Sequence, residues 1–131
     1  MGGFTDYWED KILDHIFGKA VYAPPTIYVG LSTSNPQDDG SGLAEPDGNA
    51  YARVQTSPGD WSAASGGVVQ NAGDVTFAKA TGNWGTITHF ALFDAATGGN
   101  MLAHGALSQA MAVGSSETAR FAAGDLDIGL D

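Results

Sequence analysis

From residue 84 to 108 the chain reads W-G-T-I-T-H-F-A-L-F-D-A-A-T-G-G-N-M-L-A-H-G-A-L-S, and this stretch limits the fold more than any other. Two apolar runs, 86–94 and 100–108, flank A-A-T-G-G. Those residues tolerate the positive φ of a tight reversal, so the spacing predicts a β-hairpin. Period-two alternation puts Phe90 and Leu92 on one face of the first strand and Ile87, Ala91 and Phe93 on the other. The second strand sets Leu102 and Ala106 opposite Met101, Ala103 and Leu107. An antiparallel pair at a surface usually keeps one polar face. Here both faces are apolar, so both need cover from elsewhere in the chain or from a partner.

One candidate cover is an amphipathic helix expected over 5–18. Thr5 or Asp6 caps it, Asp6 and Glu9 have capping-box spacing, and Gly18 suits the C-terminal stop. Trp8, Ile12 and Ile16 recur at i, i+4 and i+8, flanked by Leu13 and Phe17, while Asp10, Lys11 and Asp14 fall on other faces. Such a helix beside many strands is expected to lie on the sheet. The rival reading docks it on a neighbouring subunit.

Short strands fill the remainder. Residues 26–32 alternate Ile27, Val29 and Leu31 against Thr26, Tyr28 and Ser32. Strands are also expected at 51–56 (Arg53 exposed, Val54 inward), 68–71, 74–79 (Val75 and Phe77 inward), 110–113 and 118–123 (Ala119, Phe121 and Ala123 on one face). The final stretch, 125–131, predicts Leu126, Ile128 and Leu130 inward and Asp125, Asp127 and Asp131 outward, pairing back across Gly124-Asp125 onto 118–123. Trp61 reads as a core plug. About eight short strands at close spacing argue for a single mainly-β domain over 1–131, an antiparallel β-sandwich or jelly-roll-like fold with one N-terminal helix. Between strands, 35–49 is the longest irregular run, N-P-Q-D-D-G-S-G-L-A-E-P-D-G-N. Its Asp38, Asp39, Glu45 and Asp47 read as an arm reaching outward to a partner, or as a solvated, flexible loop.

Charge and composition then exclude functions. Five Lys and Arg stand against 15 Asp and Glu, a formal net charge of −10, so no cationic reserve exists for a polyphosphate backbone. Direct nucleic-acid binding is not expected. Without cysteine there are no disulfides or thiolate metal sites. No run approaches the length of a membrane span, and neither a basic leader nor a signal core opens the chain.

Catalytic patterns are also missing. His89 and His104 fall near mirror positions on the hairpin and come within a residue or two of facing each other, but no sequence neighbour offers further metal ligands. They read as hydrogen-bonded histidines in or beside the core, and His15 as structural. The D-D-G-S-G run at 38–42 lacks the alternating ligands and terminal Glu of an EF-hand. Gly98-Gly99 is a turn, not a phosphate loop, and no G-x-S-x-G is present. Tyr7, Trp8, Tyr28, Tyr51, Trp61 and Trp84 read as core aromatics more readily than as a sugar platform. Neither an enzyme nor a cofactor is expected.

Several segments, in order, carry a resemblance: Y-W-E-D-K-I-L-D-H-I-F-G, P-P-T-I-Y-V-G-L-S-T-S-N-P, Y-A-R-V, G-D-V-T-F-A-K-A-T-G-N-W-G-T-I-T-H-F-A-L-F-D-A-A-T-G-G-N-M-L-A-H-G-A-L and A-R-F-A-A-G-D-L-D-I-G-L. Across nearly its whole length the chain resembles small virion proteins of tailed bacteriophages and prophages, commonly described as tail or structural proteins. The resemblance implies a particle component made in the bacterial host cytoplasm. Negative charge favours the outside of the particle over a genome-facing interior. The leading expectation is a capsid decoration, or cement, protein bound to the major capsid protein at subunit junctions, self-associating as a dimer or trimer. A tail or neck structural protein is the alternative, and a receptor- or glycan-binding module a further one. Trp8, Ile12, Ile16, Asp38, Asp39, Glu45 and Asp47 are the candidate interaction residues.

Overall fold

The computed structural model describes residues 2–130 and places the hairpin at the centre of the main sheet. Strand β6 (Gly85–Phe93) pairs antiparallel with β7 (Met101–Val113). Between them Gly98 and Gly99 take φ of 61° and 70°, as the reversal requires. Asp94 staples the turn, its carboxylate accepting the Asn100 backbone N–H at 2.7 Å and side-chain amide at 3.0 Å.

On one side of the hairpin lie β2 (Tyr28–Ser32) and β3 (Val54–Gln55); on the other lie β1 (Gly2–Phe4), β9 (Asp127–Gly129) and β4 (Val68–Gln70). The sheet order is β3-β2-β6-β7-β1-β9-β4, antiparallel throughout except between β1 and β9. A separate ribbon joins β5 (Val75–Thr76) to β8 (Arg120–Phe121). The chain is thus mainly β with one N-terminal helix, built on one large sheet and a short ribbon. Strand β7 runs unbroken through the two segments read separately at 100–108 and 110–113. Its ladder jumps from His89↔Ala106 to Ile87↔Met111, so 107–110 bulge out of register.

Both faces of the hairpin are covered, as its sequence demands. Phe90, Leu92, Leu102 and Ala103 join Val29, Leu31, Val75, Phe77, Trp84 and Phe121 in the main core. Fully burying each large side chain contributes about 1.5–3 kcal/mol. The register shift at Ile87/His89 brings Ile87 into this same core, although strict alternation places it opposite Phe90. Ala91 and Phe93 are also buried, at 0% and 2% exposure, yet outside that core. A second cover therefore shields them.

The helix packs on the main core instead, and only with its first half, through Tyr7 and Trp8. Helix α1 (Asp6–Ile16) starts at Thr5, which is buried and accepts the Trp8 N–H. The Thr5 hydroxyl donates to the Met101 carbonyl at 2.7 Å, and its N–H to the Leu102 carbonyl at 2.9 Å, pinning the helix start to β7. Gly18 has φ 74° just beyond the helix, as its stop position suggested. No residue of α1 is fully buried. Trp8 lies tilted on Phe4, ring centres 4.4 Å apart, but Leu13, Ile16 and Phe17 face solvent.

The C-terminal segment corrects the sequence expectation. Strand β8 pairs with β5, and β9 with β4 and β1, so 118–123 and 125–131 do not form a hairpin. Buried Asn71 separates them: its side-chain amide donates to the Gly73 and Ala122 carbonyls and its side-chain oxygen accepts the Leu126 N–H. Leu126 and Ile128 point inward as expected, whereas Leu130 is 68% exposed because β9 ends at Gly129. Ala123 is likewise exposed. Asp131 lies outside the described residues.

Strand β1 is held by an unusually close backbone approach. Gly2 stands opposite Gly105 in the ladder. A Cβ on Gly105 would come within 2.6 Å of the Gly2 Cα and 2.9 Å of the Phe90 ring. Only glycine fits there, and Phe90 fills the space that two side chains would occupy. Gly105→Ala is therefore expected to cost about 1–3 kcal/mol, read as a lower urea midpoint. Gly59→Ala, with nothing within 4 Å of its Cβ position, is the control expected to leave the midpoint nearly unchanged.

Candidate functional site

The run 35–49 forms neither helix nor strand. It folds back along β2 as a strap. The Thr33 N–H bonds the Ala44 carbonyl at 3.0 Å, the Gly42 N–H bonds the Pro36 carbonyl at 2.9 Å, and the Ala44 N–H bonds the Ser32 hydroxyl at 3.1 Å. At its far end the Asn49 carbonyl accepts the Trp84 indole N–H at 2.8 Å.

Arg53 fastens the strap, and this corrects its reading as an exposed residue. Its side chain is only 7% exposed and pairs with Glu45 (Nη2 to Oε1 2.6 Å, Nε to Oε2 3.0 Å). Nη1 donates to the Ala95 and Gly98 carbonyls, each at 2.9 Å, so one guanidinium ties the strap to the hairpin turn. The same plane lies 3.4 Å from the centre of the Phe93 ring. This is the second cover of the hairpin. The Tyr51 hydroxyl donates to Glu45 at 2.6 Å and accepts the Leu31 N–H at 2.9 Å, continuing the β2 edge where β3 has ended. Burial, then the neighbouring Glu45 carboxylate, raises the Tyr51 pKa, so the phenol remains a donor at any ordinary pH. Gly30 is required beneath: a Cβ there would lie 2.8 Å from Phe93 and 3.0 Å from Glu45 and from Tyr51.

The candidate interaction residues consequently divide. Glu45 is turned inward and committed to Arg53 and Tyr51. Asp38 stands at the surface with its carboxylate 2.8 Å from His104 Nε2, and its carbonyl accepts the Asp6 N–H, so strap, helix start and β7 meet there. Asp39 and Asp47 are exposed. The Ser41 N–H bonded to Asp39 lowers that carboxyl's pKa. Trp8 and Ile12 are half-buried, and Ile16 is 70% exposed. Asp6, Tyr7, Asp38, Asp39, Phe93 and Met101 line an open cleft of about 500 Å³ between helix and strap.

The two hairpin histidines do lie near one another. Ala91 faces His104 and His89 faces Ala106, which sets the rings diagonally on one face of the sheet. Burial, and secondarily the charge of His104, lowers the His89 pKa. Among the described residues no group of three or more His, Cys, Asp or Glu could hold a metal ion. The aromatics are used as packing: Trp84 is 4% exposed, Tyr51 stacks on Phe77, and the half-buried Trp61 donates its indole N–H to Thr56. No helix among those residues is long and apolar enough to cross a membrane.

Arg53 and Tyr51 are the organising residues that sequence reasoning passed over. The available signal was a lone cation inside an apolar strand of a chain with few cations. Removing one member of a buried ion pair costs about 3–5 kcal/mol; with Glu45 20% exposed, the lower end is expected. Arg53→Met and Glu45→Ala should each lower the unfolding midpoint accordingly and admit protease between residues 36 and 49. Arg53→Lys should not rescue, because an ammonium cannot span carboxylate and two carbonyls at once.

No curated protein matches the chain. The model of a family described as podophage GP4 fiber I protein gp80 matches residues 3–129, from β1 to the end of β9. With nearly its whole length so matched, the chain belongs to the podophage GP4 fiber I protein gp80 family and is a structural protein of a phage virion.

Proposed function

We propose that the chain is a building block of a fibre or neighbouring tail-side assembly, acting through contacts and not through chemistry. The family match over residues 3–129 carries this reading, since that family is named for a fibre protein. The fold supports it. Its largest polar network, around Arg53, is spent on holding the chain's own strap, and its aromatics are spent on the core. What remains at the surface is acidic loop tips, at Asp38, Asp39 and Asp47, and a partly uncovered helix that includes Ile12 and Ile16.

Partners are then other protein components of the particle, with further copies of the chain as neighbours in a symmetric assembly. Ribbon β5–β8 shares the core of the main sheet, with Phe121 meeting Phe77 at 6.2 Å. Decoration of the head exterior is the second reading. The net charge of −10 favours it over any place beside the packaged genome.

Copy number separates the two. A fibre or tail component is expected in tens of copies or fewer per particle, set by tail symmetry, whereas a head decorator would reach hundreds. Gel densitometry of purified particles, with antibody labelling under the electron microscope, should find few copies clustered at the tail. Hundreds of copies spread over the head would overturn the fibre reading and restore decoration.

A further inference from the structure

The distal half of α1 presents an apolar face that the chain itself leaves open. Leu13, Ile16 and Phe17 are 55%, 70% and 73% exposed, and Val21, just past the helix, is 89% exposed. Isolated exposed apolar residues need no explanation, but four large ones within nine residues form a patch. Acidic residues outnumber basic ones along its border. Asp6, Asp10, Leu13 and Phe17 follow one another at spacings of four, three and four, one stripe along the helix, with Asp14 alongside. Lys11 is turned away over the Tyr7 ring, 5.5 Å from its centre.

We propose that this face docks into an apolar cleft bordered by Lys or Arg on a different protein of the particle. Charge complementarity selects that occupant over a second copy of the chain. The chain has five Lys and Arg in all. Arg53 is buried against Glu45, Arg120 pairs with Asp74, Lys11 lies over Tyr7, and Lys19 belongs to the patch's own border. Lys79 alone remains to supply a basic rim on a second copy. The anchors are expected to be Leu13, Ile16 and Phe17, with Asp10 and Asp14 setting orientation and salt dependence. This deepens the structural role proposed above and rests on it.

The test uses phage particles assembled without this chain, to which the purified full chain is added back and binding is measured by co-sedimentation over a range of salt. Wild type should rebind, and more weakly as salt rises. Leu13→Ser/Ile16→Ser/Phe17→Ser should lose about tenfold or more in affinity while keeping the wild-type thermal midpoint, because those side chains already face water. Asp10→Lys/Asp14→Lys should weaken binding and flatten its salt dependence. Equal binding by the triple variant would overturn the inference and leave the structural role standing; equal binding by the charge-reversed variant would overturn the basic rim. Failure of wild type to rebind at any salt would overturn the structural role itself. Light scattering that finds a wild-type oligomer dissociated by the triple variant would assign the face to a second copy instead.

Discussion

One guanidinium decides how this chain closes. The hairpin has two apolar faces and the main core covers one of them. Over the other, Arg53 lies flat on Phe93 and reaches Glu45 in the strap and two carbonyls of the hairpin turn. A buried cation is normally a liability, since desolvation costs several kcal/mol. Here the fork geometry meets the need, with a bidentate carboxylate on one side and two carbonyls on the other. Strap 35–49, strand β2 and the hairpin turn become one unit through it. Gly30 and Tyr51 are consequences of the same packing: one removes a side chain from beneath the knot, and the other finishes the β2 edge.

That closure also determines what is left for function. The strap and Arg53 cover Phe93, and helix α1 meets the sheet only with its first half, through Thr5 and Trp8. Its second half projects, apolar and acidic together. Of the two readings of the helix in the sequence, lying on the sheet holds for its first half, while its second half is left exposed.

Local rules made the hairpin, its turn, the helix start and the irregularity of 35–49 legible, because each depends on residues within a few positions of one another. Contacts set by distant residues were not. Arg53 looked exposed by alternation, since its partners Glu45, Phe93 and Gly98 converge only in three dimensions. Strand β1 was hidden because Gly2-Gly3 carries no strand propensity; its place is set by the gap opposite Gly105. The C-terminal strands misled because Gly124-Asp125 is a true turn, with Asp125 accepting the Ala122 N–H, yet its arms leave for different sheets around Asn71. For the candidate site, charge marked Asp38, Asp39, Glu45 and Asp47 alike. Only the fold shows that Glu45 is turned inward to Arg53 and Tyr51, and that Asp38 is bonded to His104 and the helix start while Asp39 and Asp47 are exposed.

The closure of the molecule depends on 35–49 being a strap locked by Arg53 and not a mobile arm. Amide hydrogen exchange on the wild-type chain addresses it directly. The Thr33, Gly42 and Ala44 amides, all hydrogen-bonded in or by the strap, are expected to exchange slowly and together with the hairpin core. Fast exchange of these amides while β6 and β7 remain protected would contradict it.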